Sequence, residues 1–288
     1  MARDAPVAVL LRRGPTNWVE LIRWDTSNDT FERGQWFHGR IYERRCDLRP
    51  SGNLFVYFAA KHNPKQFQSD YTSAWTAVSR PPYFTALSLW PKGDCWDGGG
   101  WFEADRRLHL NHYGDPQPHP NHLAHKKLQV ETNLCGRGED LPIYNDILQA
   151  KGWTRHVSGN HPSSRAARET SGASPLRASD PTNKVWFHSE AGLTLRMELE
   201  NIDFQKPGGP YHFGHLVMRE EDGEWLQVID AEWADWDQQG RLVYSQHGKL
   251  YAAKPLGQRL DFVELADFTN DKPQENSPSH QARQWPRW

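Results

Sequence analysis

The sequence predicts an all-β fold, a β-propeller of five or six four-stranded blades with one short helix; a two-sheet β sandwich or two small β domains is the alternative. Three observations point there. Tryptophan is unusually abundant, 14 residues beside 12 Phe and 9 Tyr, so burial must rely on large flat rings that suit a pleated surface. Turn formers are frequent, with 22 Gly and 20 Pro. Several segments alternate in period two, which pairs them as strands rather than helices.

The elements follow in chain order. Val7–Leu11 is apolar, Gly14-Pro15-Thr16-Asn17 has turn chemistry, and Trp18, Glu20, Ile22 and Trp24 then alternate with Val19, Leu21 and Arg23, which makes a hairpin. A second hairpin runs from Cys46 to Phe58 through Pro50-Ser51-Gly52-Asn53. Its second strand is almost continuously apolar, so it should be buried on both faces. A third pairs Trp75–Val78 with Tyr83–Trp90 around Arg80-Pro81-Pro82, since proline suits the turn and not a central strand. The run from Trp96 to Trp101 through Gly98-Gly99-Gly100 is a sharply bent loop, followed by a short hairpin over Phe102–Leu110.

Asp140 to Lys151 is the one helix: Asp140 caps, Pro142 suits the first turn, Ile143, Ile147 and Leu148 share a side, and Gly152 stops it. Residues 157–184 are rich in Ser, Gly, Pro and Arg and read as a long flexible loop. Leu193, Leu195, Met197 and Leu199 then alternate with Thr194, Arg196, Glu198 and Glu200 as a half-buried strand with a polar face. Phe213–Met218 and Trp225–Ile229 flank an Asp-Gly turn, Leu242–Gln246 and Leu250–Ala253 flank His247-Gly248, and the two hairpins should form one four-stranded meander. The domain expectation is therefore one propeller over 1–271 with a tail over 272–288. That tail ends in Trp285-Pro286-Arg287-Trp288, and two terminal indoles should dock rather than stay solvated.

A weak internal repeat supports the propeller. Asp47-Leu48, then Pro50-Ser51-Gly52, then Leu54–Tyr57 matches Asp235-Trp236, then Gln238-Gln239-Gly240, then Leu242–Tyr244, and Glu190–Leu195 is a degenerate third copy. These segments resemble the TolB-like, WD-like propeller repeat, in which an apolar or Trp position precedes Ser-Pro-Asp-Gly and a strand. The resemblance spans about three diverged blades and implies a propeller scaffold. Pro-Ser-Gly and Gln-Gln-Gly replace the Pro-Asp-Gly of that pattern, and His109 to Lys184 shows no copy.

Composition narrows the function. With 34 Lys+Arg against 36 Asp+Glu, the net charge of −2 argues against nucleic acid or an anionic membrane surface as the partner. No apolar run approaches the ~18 residues of a membrane-spanning helix. Val7–Leu11 is followed by Arg12-Arg13 and lacks the small-residue site of a signal peptide, and Cys46, Cys95 and Cys135 are odd in number and widely spaced. A cytoplasmic protein with reduced thiols is expected.

No nucleophile elbow, phosphate loop or dinucleotide fingerprint occurs, so no cofactor is expected. The histidines from His109 to His125 lack zinc-site spacing and read as a Pro-bearing loop, not a metal centre. Asp47, Asp94, Asp97, Asp203, Glu232, Asp235 and Asp237 are candidate acids; a facing pair would suit glycoside hydrolysis, whereas Asp before a Gly turn ordinarily bonds its own backbone. Trp96, Trp101, Trp233 and Trp236 stand beside turns and are the candidate partner-binding residues, because an exposed ring offers wide contact at small entropic cost. The expected function is a non-catalytic scaffold or regulatory subunit that binds a protein through rim loops. A carbohydrate-active propeller, lectin or glycosidase, is the alternative.

Overall fold

Strands of this chain gather into five small sheets, each built from one stretch of sequence, and these are the blades of a five-bladed β-propeller. The computed structural model describes residues 1–62, 70–136, 139–156, 185–202, 211–220, 223–255 and 260–288. The loop expected over 157–184 lies outside them. Contacts divide the chain into two compact units, Met1–Lys151 with Asn270–Trp288, and Gly152–Thr269.

In the first unit, β1 (Val7–Arg13), β2 (Trp18–Asp25) and β3 (Thr30–His38) form an antiparallel sheet. A second sheet holds β4 (Arg40–Ile41), β5 (Asp47–Leu48), β6 (Phe55–Ala60), β7 (Ala74–Ser79) and β8 (Ala86–Pro91). A third holds β9 (Gly100–Ala104), β10 (Arg107–Leu110) and β11 (Gln129–Thr132), the last joining in parallel. Strand β6 explains the stacking. Its Phe55, Tyr57 and Ala59 join Val19 and Leu21 in one core cluster, while Val56 joins Trp90, Phe102, Leu108 and Leu110 in another. Every residue of β6 is buried, as its unbroken apolar run requires of a strand between two sheets.

Helix α1 (Leu141–Ala150) buries Ile143, Ile147 and Leu148 as its spacing predicts. Asp140 does not cap it, however: its backbone is already helical and its carboxylate is turned onto Arg45. The tail docks as expected, with Trp285 and Trp288 against the cluster of Val56, Trp90 and Leu108. Arg49 lies 4.3 Å above the Trp288 ring and His125 stacks on it at 5.1 Å.

The second unit holds two sheets. One runs β12 (Thr154–His156), β13 (Val185–Glu190), β14 (Leu193–Ile202), β15 (Tyr211–Arg219) and β16 (Trp225–Ile229); the other runs β17 (Trp233–Trp236), β18 (Leu242–Gln246), β19 (Lys249–Ala253) and β20 (Val263–Asp267). The expected single meander is thus two blades. β14 occupies the free edge of β15, and β17 pairs with β18, so the two hairpins never meet in one sheet. The polar face of β14 is also not solvated throughout, because Arg196 and Glu198 are buried and paired at 2.9 Å.

All three repeat copies are hairpins. Asp47 pairs with Val56, Asp235 with Val243 and Glu190 with Leu193, and the turn glycines Gly52, Gly240 and Gly192 have φ of 76°, 68° and 78°, a conformation that favours glycine.

Candidate functional site

Arg45, at the end of a 3-10 turn over Glu43–Arg45, is the fixed point of the site. Its side chain is fully buried, with Nε donating to Asp140 Oδ1 at 2.5 Å and Nη1 donating to the carbonyls of Cys95, at 2.8 Å, and Asp97. The rings of Tyr42 and Phe58 lie 4.6 and 5.2 Å from the guanidinium carbon. A planar group with fixed donors, held on its flanks by aromatic rings, imposes one geometry on the carbonyls it binds.

Those carbonyls belong to the loop 92–99. Within it Asp94 Oδ1 accepts the Trp96 backbone N–H at 2.8 Å and takes Lys92 Nζ at 2.8 Å. Gly98 and Gly99 have φ of 82° and 81°, and a Cβ would come within 2.3 Å of the Phe58 ring and 2.2 Å of the Arg45 carbonyl oxygen. Only glycine permits this turn to lie against Phe58 and Arg45.

Asn111 ties this loop to two others. Its backbone N–H donates to Gly99 O at 3.0 Å, its carbonyl accepts Gly98 N–H at 2.7 Å, and its Nδ2 donates to Gly98 O at 3.2 Å. Its Oδ1 accepts the Cys135 N–H at 3.0 Å, which fixes the segment after β11. Gly99 N–H donates to Thr76 Oγ1, which in turn lies 2.8 Å from His112 Nε2. Burial, with Lys92 nearby, pushes His112 down to about 4, so at neutral pH it is an uncharged imidazole hydrogen-bonded to the Thr76 hydroxyl. Burial and the neighbouring Asp146 push the Cys135 thiol up, so it is not a reactive thiolate.

Three large apolar side chains project from these joined loops: Trp96 is 63% exposed, Tyr113 84% and Leu134 38%. They stand on a polar frame that is itself buried, Arg45, Thr76, Asn111, His112 and Asp140. The arrangement presents apolar surface on a pre-set backbone.

Of the four tryptophans predicted for binding, Trp96 is the exposed one. Trp101 is half-buried on neighbouring β9 and stacks on His109 with ring centres 4.5 Å apart. Trp233 and Trp236 lie on β17 in the other unit, three residues apart and so on opposite faces. Trp236 is 5% exposed and donates its indole N–H to His188 O at 2.7 Å, so its ring is interior structure; Trp233 is half-buried.

Five of the candidate acids, Asp47, Asp94, Glu232, Asp235 and Asp237, hold structural hydrogen bonds or ion pairs with their carboxylates. Asp47 Oδ2 accepts the Phe102 N–H and its Oδ1 lies 2.8 Å from Lys151 Nζ. Asp235 Oδ1 accepts the Trp236 N–H and bonds His188 Nδ1, and Asp237 Oδ1 accepts from Gln239 and Arg241. Asp94 caps Trp96 as above and Glu232 Oε1 accepts the His247 N–H at 3.3 Å; Asp97 binds Arg45 through its backbone carbonyl and not its carboxylate, and Asp203 lies outside the described residues. In the histidine-rich stretch, Tyr71 stacks on His119 and bonds His122. Among the described residues no group of three His, Cys, Asp or Glu is arranged to hold a metal ion, and no helix is long and apolar enough to cross a membrane.

Sequence reasoning did not find Tyr113, Leu134, Arg45 or Asn111. The one available signal was the triple glycine after Trp96, which marks a close backbone approach without naming what is approached. No protein-family model matches the chain, and no curated protein matches it.

Proposed function

We propose that the protein is a non-catalytic propeller scaffold or regulatory subunit that binds a partner protein through the loops joined at Asn111, with Trp96 as the anchor. The observation that carries this reading is an indole 63% exposed on a loop held by a fully buried arginine. An exposed tryptophan on a rigid loop is the common chemistry of an interface hot spot, because the backbone loses little freedom on binding. Tyr113 and Leu134 widen the apolar area, and the partner is a protein presenting an apolar pocket. The candidate acids support binding over catalysis, since Asp47 and Asp235 each direct an oxygen at a backbone amide.

Residues 1–271 act as one propeller domain in this reading, with 272–288 as its tail. The likeness of the repeat hairpins to TolB-like and WD-like blades supports a scaffold role. Three unpaired thiols, Cys46, Cys95 and Cys135, favour a reducing, cytoplasmic setting.

Photo-crosslinking in the native cell tests it. A photoreactive amino acid at position 96 or 113 should capture one protein, and the same probe at Val263, exposed in the other unit, should not. Capture of a glycan and no protein through position 96 would replace this reading with a lectin. Equal capture at all three positions would remove it.

A further inference from the structure

Register in the first sheet sets Arg12, Glu20 and Trp36 in one row, since Arg12 pairs with Glu20 and Glu20 with Trp36, and directly opposed residues share a face. Glu20 shares that face with Trp18, Ile22 and Trp24 and is 1% exposed. Its Oε2 finds no hydrogen-bond partner. A buried carboxyl in an aromatic row demands a reason.

The reason comes from the C-terminal segment. Asp271 pairs with Arg33 Nε at 2.7 Å, Asn276 Nδ2 donates to the Arg33 carbonyl at 3.3 Å, and residues 273–278 border a shallow groove of roughly 560 Å³ with Trp18, Gln35, Trp36 and Arg283. Asp271, held on Arg33 of the neighbouring strand, thereby stands close enough for its charge to act on the Glu20 carboxyl. Two carboxyls so placed cannot both ionise without repulsion, although Arg12 from β1 and Arg33 from β3 oppose it.

We propose that Glu20 and Asp271 form a proton-dependent latch: the segment 271–278 is held on the β1–β3 sheet while Glu20 is protonated and is released when Glu20 ionises. Burial first, and then the charge of Asp271, push Glu20 up to about 7, which places the change near neutrality. The sign follows from linkage. The docked state binds the Glu20 proton more tightly than the released state does, so docking is strongest below the carboxyl's ordinary range and weakens as pH rises towards 7 and above. The far end of the tail has separate attachments, through Arg80 to the carbonyls of Gln281 and Gln284 and through Trp285 and Trp288, so it stays in place. His38 also lies on this face, stacked on Trp18 at 4.6 Å, and its contribution must be separated from that of Glu20.

Hydrogen exchange of the full chain at pH 5.5 and 8.5, expressed as protection factors, tests the latch. Residues 271–278 should lose at least tenfold in protection at the higher pH, tenfold being one pKa unit of difference between docked and released states. Residues 281–288 should not change, Glu20→Gln should hold the loss within twofold, and His38→Asn should retain it. Equal protection of 271–278 at both pH values in the unmodified protein, or an undiminished loss in Glu20→Gln, would overturn the proposal. If Glu20→Gln does not fold, a carbon-13 titration of the Glu20 carboxyl decides: a midpoint near 7 that coincides with the exchange change supports the latch, and one below 5 refutes it.

Discussion

Replacing Arg45 with Met keeps the length and packing of the side chain while removing its charge and donors. Asp140, 5% exposed, would then hold a buried carboxylate without its partner, and the carbonyls of Cys95 and Asp97 would lose theirs. Removing one member of a buried ion pair costs about 3–5 kcal/mol. Each lost bond to a charged donor is worth ~1.5–3 kcal/mol, but these overlap with the ion-pair loss and do not simply add. We expect about 4 kcal/mol, a large part of the ~5–15 kcal/mol that stabilises a typical domain. Urea unfolding followed by circular dichroism reads it, and hydrogen exchange should show the Trp96 and Gly98 amides opening first. Arg45→Met/Asp140→Asn should regain roughly 2 kcal/mol, since the buried charge is gone. A loss below about 1 kcal/mol in the single variant, or no recovery in the double, would refute the reasoning that Arg45 holds the loop.

Gly99→Ala should cost at least about 3 kcal/mol, seen as a lowered urea midpoint, because its Cβ meets the Arg45 carbonyl at 2.2 Å and its φ is 81°. His112 and His215 are both pushed down to about 4 by burial. Each folded value lies below the ordinary 6.5, so the unfolded chain binds the extra proton. Stability is intact above about pH 6.5 and falls towards pH 4, by roughly 3 kcal/mol for His112 alone; urea titrations at pH 7 and 4.5 should show the fall, and His112→Gln should flatten it. Trp288→Ala, which strips the ring between Arg49 and His125, should cost about 2 kcal/mol and speed exchange across 281–288.

The strands that sequence shows most clearly are those whose burial is decided locally. The turn Gly14–Asn17 fixes the register of β1 on β2, and the apolar run of β6 states that both of its faces are covered. β3 was hidden because Thr30, Glu32, Arg33, Gly34 and Gln35 break the apolar pattern. Gly34 is there because another segment approaches it, with Pro82 O only 1.9 Å from where a Cβ would stand, and one strand's sequence does not record that. Two consecutive hairpins predict one meander, but the short strand β17 between them pairs with β18 and so assigns the hairpins to different sheets. Arg196 and Glu198 looked solvated because pairing, not polarity, decides whether a charge can be buried.

The site divides in the same way. Trp96 was legible from the glycines beside it, whereas Asn111 and Arg45 act on residues 12 to 95 positions away and become visible only in the fold.

The most direct test of the interface is the affinity of the purified chain for the protein captured through position 96, measured by titration calorimetry for the unmodified protein and for Trp96→Ala. Loss of a central tryptophan anchor should raise the dissociation constant about 30-fold, equivalent to ~2 kcal/mol, with the urea midpoint unchanged. An unchanged dissociation constant in a folded Trp96→Ala protein would contradict the account.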